Sequence, residues 1–96
     1  MARACFVIHT AMPEISRFFG IAIAIYYRDD EPPVFHAFSG AHGVAVNIDT
    51  GAVDGIFPPR ALGLVLEWRQ SHVDELRRNW HLARCRRPLR AIAPLE

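Results

Sequence analysis

The sequence predicts an α+β domain: a three- to four-stranded antiparallel meander followed by one long C-terminal helix, straight or kinked, packed on one face of the sheet. Apolar residues alternate with a period of two over residues 21–57, and short turn sequences interrupt the alternation. From residue 60 onward the apolar residues follow a three-to-four spacing instead. The 96 residues, 51% hydrophobic and 22% charged, suffice for one small domain of this kind.

The first predicted strand covers residues 21–27 and is apolar on both faces. The segment 29–33, with three acidic residues and two prolines, cannot continue a ladder and therefore ends this strand. A strand that is apolar on both faces lies centrally in its sheet or is covered by a partner. Because one helix covers only one face of a small sheet, we expect the side carrying Ala22, Ala24 and Tyr26 to contact a second copy or a small cognate protein.

Three shorter strands are predicted further along the chain. The second covers residues 34–39, and the third covers 44–49, where the alternation indicates one buried face. A fourth is expected over 52–57, although a central glycine weakens it. The turns at 40–43 and 49–51 are short, and short connections favour antiparallel neighbours.

The helical part of the sequence begins after two consecutive prolines, which are tolerated in a first helical turn. One apolar face then extends over residues 60–84 and includes Trp68 and Trp80, which we expect to be core anchors. A second interpretation divides this region into two helices, with a kink near Gln70 and a cap at Ser71. In either case the apolar face is expected to cover the sheet.

The first eleven residues look separate from the rest. We expect residues 1–11 to be a flexible N-terminal extension, or a segment upstream of the true start codon, and residues 12–96 to form the single domain. Cys5 and Cys85 show no C-x-x-C spacing, which is typical of free thiols in a reducing compartment. The longest apolar run is about half of a bilayer crossing. The sequence thus predicts a cytoplasmic protein without a membrane segment.

Charge is distributed unevenly along the chain, although the net charge is only +1. Residues 1–59 contain three Arg and six acidic residues, net −3, whereas residues 60–96 contain eight Arg and four acidic residues, net +4. Several of the C-terminal arginines follow helical spacing and predict an exposed basic surface. This surface, named here the arginine stripe, is a candidate for binding nucleic-acid phosphates or an acidic protein, with a merely solvated face as the alternative. The arginine stripe consists of Arg77, Arg78, His81, Arg84, Arg86 and Arg87.

His36 is the candidate catalytic residue if the protein is an enzyme. It lies between two aromatic residues near the acidic loop, and imidazole titrates close to physiological pH. The alternative is one structural hydrogen bond. His72 and Glu75 lie one helical turn apart, a spacing seen in metal sites, but a capping and ion-pairing role is favoured. No glycine-rich phosphate loop and no nucleophile elbow occur in the sequence, so covalent catalysis and nucleotide hydrolysis are not expected. We also expect no metal and no cofactor.

An ordered series of short motifs gives the chain a family resemblance over residues 12–95. The motifs are Met12-Pro13-x-Ile15-Ser16-Arg17-Phe18-Phe19-Gly20-Ile21, Tyr26-Tyr27, Pro32-Pro33-x-Phe35-His36-Ala37, Pro59-Arg60-Ala61-Leu62-x-Leu64-Val65-Leu66-Glu67-Trp68, His72-x-x-Glu75-Leu76-x-x-Asn79-Trp80-x-x-Ala83-Arg84 and Ile92-x-Pro94-Leu95. This series resembles a bacterial family catalogued as domain of unknown function 4160. The family pattern is commonly Pro-Pro-His-Phe-His, and here Val34 replaces the first histidine.

The resemblance implies a small cytoplasmic bacterial protein, often encoded beside another domain of unknown function, family 2442, in what looks like a toxin–antitoxin pair. It implies no catalytic residue. Two functions therefore stay open at the level of the sequence. The first is a protein-interaction module that binds itself or a cognate protein, and the second is a toxin-type protein that binds or cleaves RNA with His36 and the arginine stripe.

Overall fold

Two-residue turns form two of the four connections between consecutive strands of the sheet. The computed structural model describes residues 13–27 and 30–96. The strands are β1 (Glu14–Phe18), β2 (Ile21–Ala24), β3 (Val34–Ser39), β4 (His42–Asn47) and β5 (Val53–Ile56), and the helices are α1 (Pro59–Ser71) and α2 (Val73–Arg84). The strands pair antiparallel in the order β1-β2-β3-β4-β5, which confirms the α+β meander. The extension predicted for residues 1–11 lies outside the described residues.

The sheet has five strands within the described residues, and the expectation of three or four strands is therefore wrong. The added strand is β1, which forms a hairpin with β2 through Phe19 and Gly20. Both turn residues have positive φ, 50° and 78°, the conformation that tight hairpin turns require. Phenylalanine is rare in this conformation, so the sequence carries only the glycine half of the turn signal.

The helical region is divided into two helices, so the prediction of one long helix is also wrong. The break is at His72, whose φ of −131° and ψ of 23° interrupt the helical backbone. His72 rather than Ser71 occupies the N-cap of α2, and no side chain caps that helix. Neither helix in the described part of the chain combines the length and apolar character that a bilayer crossing requires.

Both helices pack against one face of the sheet, named here the inner face, and the opposite face is named the outer face. The inner face is formed by strand residues that are fully or almost fully buried, among them Ile23, Phe35 and Val46. Trp68 of α1 is also fully buried, with its ring centroid 5.5 Å from that of Phe18 and 5.8 Å from that of Phe35. Trp80 is 3% exposed, so the prediction that both tryptophans are core anchors is confirmed.

The segment after α2 turns back and runs to the β1 side of the sheet. Arg86 has φ 58°, and the amides of Arg86 and Arg87 donate to the carbonyls of Ala83 and Leu82, a Schellman motif that ends the helix. Farther on, the Ile92 amide donates to the Ile15 carbonyl at 2.8 Å. The C-terminal segment therefore satisfies a backbone group on the free edge of β1.

Candidate interaction surfaces

The outer face of the sheet carries the side chains that alternate with the buried strand residues. Strand pairing places Ala22 opposite Phe38, and Ala24 opposite His36. His36 lies in turn opposite Ala45 of β4. These residues therefore share the face that the helices do not cover, as predicted for the first strand, although the prediction that Ala24 is uncovered is wrong because its side chain is only 3% exposed.

Three rings form the centre of the outer face, and they are named here the ring cluster: Tyr26, His36 and Phe38. The ring centroids of Tyr26 and His36 are 4.2 Å apart, and those of His36 and Phe38 are 6.3 Å apart with planes inclined by 14°. All three residues are half-buried. The Phe38 ring lies over Gly43, where an added Cβ would be 3.1 Å from a ring carbon, so the absence of a side chain at position 43 lets this ring lie against the sheet.

A groove of about 410 Å³ lies beside the ring cluster, towards β5. His36 lines this groove together with the carboxylates of Asp30 and Asp54. An imidazole and two carboxylates form a residue set that suits acid–base chemistry, and a catalytic role for His36 stays a prediction. The remaining lining residues are Pro32, Val34, Ala45, Asn47, Ala52 and Val53.

Arg84, the central member of the arginine stripe, contacts the protein itself. Its guanidinium donates to the carbonyls of Tyr26 and Tyr27 at 3.1 and 2.7 Å, and it lies 4.1 Å from the centroid of the Trp80 ring. β2 ends at Ala24, so these two carbonyls lie beyond its ladder, and Arg84 supplies donors for them. Arg84 is half-buried and fastens α2 to the end of β2.

Arg77 is also engaged within the chain. Its Nε donates to the Asp49 carboxylate at 2.6 Å, and Asp74 lies 3.7 Å away. Accepting this hydrogen bond, the Asp49 carboxylate raises the pKa of the Arg77 guanidinium. The other members of the stripe, Arg78, His81, Arg86 and Arg87, are exposed, and no carboxylate lies within 4.0 Å of them among the described residues.

His36 and the helical members of the arginine stripe belong to elements on opposite sides of the sheet. His36 points to the outer face because its neighbours Phe35 and Ala37 are buried in the core. The helical members of the stripe belong to α2, which packs on the inner face. Tyr26 lies between the two, because its ring is 4.2 Å from that of His36 and its carbonyl accepts a hydrogen bond from Arg84.

Comparison with protein families gives one match. The model of a family described as a domain of unknown function, DUF4160, matches residues 20–81. The chain belongs to the DUF4160 family. No curated protein and no solved structure matches it. The DUF4160 match begins in the β1–β2 turn and ends within α2, so it includes His36, Arg77, Arg78 and His81.

Three members of the arginine stripe, Arg84, Arg86 and Arg87, lie beyond the segment that matches DUF4160. The match also stops before the C-terminal segment that reaches Ile15. By contrast, the ring cluster and the whole groove lie within the matched residues. The ring cluster and the groove, unlike the arginine stripe, thus lie entirely within the DUF4160 segment.

Two polar residues of this DUF4160 chain hold loops in place, and the sequence analysis gave neither of them a role. Arg69 donates to the carbonyls of Ile48 and Asp49 at 3.0 and 2.9 Å, which fastens α1 to the β4–β5 loop. Asn79 is 1% exposed and exchanges two 2.8 Å hydrogen bonds with the backbone of Arg90. A polar residue on the apolar side of a predicted helix is the one signal that could have identified Asn79.

The side chains of His72 and Glu75 are hydrogen-bonded at the junction of the two helices. The His72 Nδ1 lies 2.5 Å from the Glu75 carboxylate, and the His72 ring lies 5.2 Å from that of Trp68. In residues 13–27 and 30–96, no group of three His, Cys, Asp or Glu side chains is arranged to hold a metal ion. The His72–Glu75 contact agrees with the pairing role favoured by the sequence analysis, whereas the capping role is wrong, because no side chain caps α2.

Proposed function

We propose that this protein is a small interaction module and that a cognate protein covers the outer face of its sheet. The observation that carries the proposal is the one-sided packing of the fold. Both helices pack on the inner face, so the half-buried ring cluster and the neighbouring Ala22 and Ala45 have no covering element among the described residues. Aromatic rings on a largely apolar, uncovered surface are typical of protein contacts.

The cognate protein is best sought in the adjacent gene. The resemblance to a bacterial, cytoplasmic, toxin–antitoxin-like gene pair supports this choice, because the two proteins of such a pair bind each other. A second copy of the chain is the other candidate for covering the same surface, and the experiment below separates the two.

The charges near the outer face support a protein partner rather than RNA. The groove beside the ring cluster is lined by Asp30 and Asp54, which would repel a phosphate backbone. On β1 the guanidinium of Arg17 is already hydrogen-bonded to Glu14 at 2.8 and 2.9 Å. Arg84, the stripe member bonded to the Tyr26 carbonyl, is engaged with the backbone of the protein itself.

The test is co-expression with the protein of the adjacent gene, followed by size-exclusion chromatography with light scattering. Ala22→Arg and Ala45→Arg place a long charged side chain on the outer face. Gly63→Arg is the matched control, because it adds the same charge at an exposed position of α1. An added Cβ at position 63 meets no atom within 4 Å. We expect each outer-face variant to weaken the complex by at least about tenfold, the effect of 1.4 kcal/mol, and the control to leave it unchanged.

A strictly monomeric chain that forms no complex with the adjacent protein would contradict the proposal. A homodimer sensitive to Ala22→Arg would replace the cognate protein with a second copy. The toxin alternative has its own readout. Growth arrest on expression of this chain alone, relieved in a folded His36→Gln variant, would favour RNA chemistry at the groove over the interaction module.

A further inference from the structure

The two edges of the sheet differ in how their backbone groups are satisfied. At β1 the C-terminal segment of the chain supplies a donor, because the Ile92 amide bonds to the Ile15 carbonyl. At β5 no described residue pairs with the free side of the strand. All four β5 residues are exposed, and Ile56 is 84% exposed. An open edge beside exposed apolar side chains is a surface on which an additional strand can form.

The phase of the β4–β5 ladder identifies the backbone groups that are free to pair. The Asn47 amide donates to the Ala52 carbonyl at 2.8 Å, so the next pair, Val46 and Val53, is of the non-hydrogen-bonded kind. The N–H and C=O groups of Val53 therefore point away from β4. The same alternation turns the backbone groups of Gly55 towards the open edge.

The side chains next to this edge specify the charge of a pairing strand. Asp54 pairs with Ala45 and therefore points to the outer face, where it lines the groove together with Asp30. No Arg or His nitrogen of the described residues lies within 4.0 Å of either carboxylate. A residue opposite Asp54 on an added strand would have its Cβ about 5 Å from that of Asp54, and opposite charges at this distance attract.

We propose that an extended segment of the cognate protein adds to β5 as a sixth strand, with a lysine or arginine opposite Asp54. This inference rests on the proposed function and deepens it, because it names the chemistry of the segment that is recognised. Backbone hydrogen bonds to Val53 and Gly55 supply binding, and the basic side chain in the groove supplies specificity. A second copy of β5, centred on the same position, would place two Asp54 carboxylates opposite each other, which is unfavourable.

The first experiment uses two synthetic five-residue peptides, acetylated and amidated, with the sequences Thr-Val-Lys-Val-Thr and Thr-Val-Glu-Val-Thr. Each is titrated into the ¹⁵N-labelled chain, and the amide shifts of residues 53–56 are followed by NMR. We expect saturable shifts with the lysine peptide and binding of the glutamate peptide that is about two- to fivefold weaker, the range given by one cross-strand ion pair. Asp54→Lys should reverse the preference for the lysine peptide over the glutamate peptide. Glu67→Lys, at an exposed position of α1, should leave that preference unchanged.

Val53→Pro removes the outward-facing amide but leaves the ladder with β4 intact, because proline is tolerated where an edge N–H faces solvent. This variant should lose binding of both peptides while its far-UV circular dichroism stays unchanged. The absence of saturable shifts at residues 53–56, equal binding of the two peptides, or unchanged binding to Val53→Pro would each overturn the inference.

The second experiment separates failure of the inference from failure of the proposed function. Val53→Pro and Asp54→Lys are introduced into the co-expressed pair alongside Ala22→Arg. A complex that both edge variants weaken by about tenfold or more supports strand addition. A complex that Ala22→Arg disrupts and the edge variants leave intact overturns strand addition and retains the interaction module.

Discussion

Phe35 and Phe38 lie three residues apart on the same strand, but they have opposite surroundings. Phe35 is fully buried against Trp68 on the inner face, whereas Phe38 is half-buried and lies over Gly43 on the outer face. The two faces therefore differ in the element that packs on them, although both carry aromatic side chains. Apolar residues on β2 and β3 therefore stabilise the core on one side of the sheet. On the other side they form a half-buried surface that is available for binding.

The largest effect expected from this comparison is on the free energy of unfolding. Phe35→Ala should lower it by about 3–5 kcal/mol, because the substitution leaves a cavity beside Trp68. Phe38→Ala should lower it by less than about 1.5 kcal/mol, since its ring already contacts solvent. Urea denaturation followed by tryptophan fluorescence measures both values. If Phe35→Ala does not fold, Phe35→Leu takes its place, and similar losses at positions 35 and 38 would contradict the division into two faces.

An intermediate effect on the free energy of unfolding is expected for the arginines of α2. These arginines differ in whether they contact the rest of the protein or solvent. Arg84→Lys should lower the free energy of unfolding by about 1–3 kcal/mol, because lysine cannot reproduce both carbonyl hydrogen bonds and the contact with Trp80. Arg78→Lys is the matched control on an exposed position and should change stability by less than about 0.5 kcal/mol. Equal effects of the two changes on the thermal midpoint would show that Arg84 is not a fastening residue.

The smallest effect is expected on the alkaline pH dependence of stability, to which Tyr27 contributes and the adjacent Tyr26 serves as control. The Tyr27 hydroxyl donates to the Arg87 carbonyl at 2.7 Å, and burial raises the pKa of Tyr27 above its usual value of 10.0. A raised pKa in the folded state means that the contribution to stability is complete below pH 10 and is lost as the pH rises through the folded-state pKa. Tyr27→Phe should reduce this alkaline loss in thermal melts between pH 8 and about 11. Tyr26→Phe on the outer face should retain it, and an unchanged pH profile in Tyr27→Phe would contradict the assignment.

Much of the fold followed from local patterns in the sequence. Period-two alternation identified β2 to β5, and the three-to-four apolar spacing identified the helical face that carries Trp68 and Trp80. The added strand β1 was not predicted, because its hairpin turn uses Phe19 in a conformation that phenylalanine rarely adopts. The helix break at His72 was placed within two residues by one of the two interpretations, but its cap could not be foreseen, since no side chain provides it.

The candidate site was predicted in part. The sequence alone identified the uncovered side of β2, because a strand that is apolar on both faces needs two coverings and the chain offers helices for only one. It could not show that Arg84 turns inward, since helical spacing describes which residues align but not which carbonyls they meet. That depended on β2 ending at Ala24, which leaves the carbonyls of Tyr26 and Tyr27 beyond the ladder for Arg84 to satisfy.

The periodicity of apolar residues was therefore enough to predict the class of the fold, much of its core and an apolar sheet surface that neither helix covers. The tertiary structure was needed to show which arginines form hydrogen bonds within the protein, that His36 lies on the outer face, and that β5 rather than β1 has an open edge among the described residues. These features could not be predicted from the sequence because hydrogen-bond partners such as Ile15 and Ile92, or Asn79 and Arg90, are distant along the chain. No local pattern specifies such a pairing, because the chain must fold before the two groups meet.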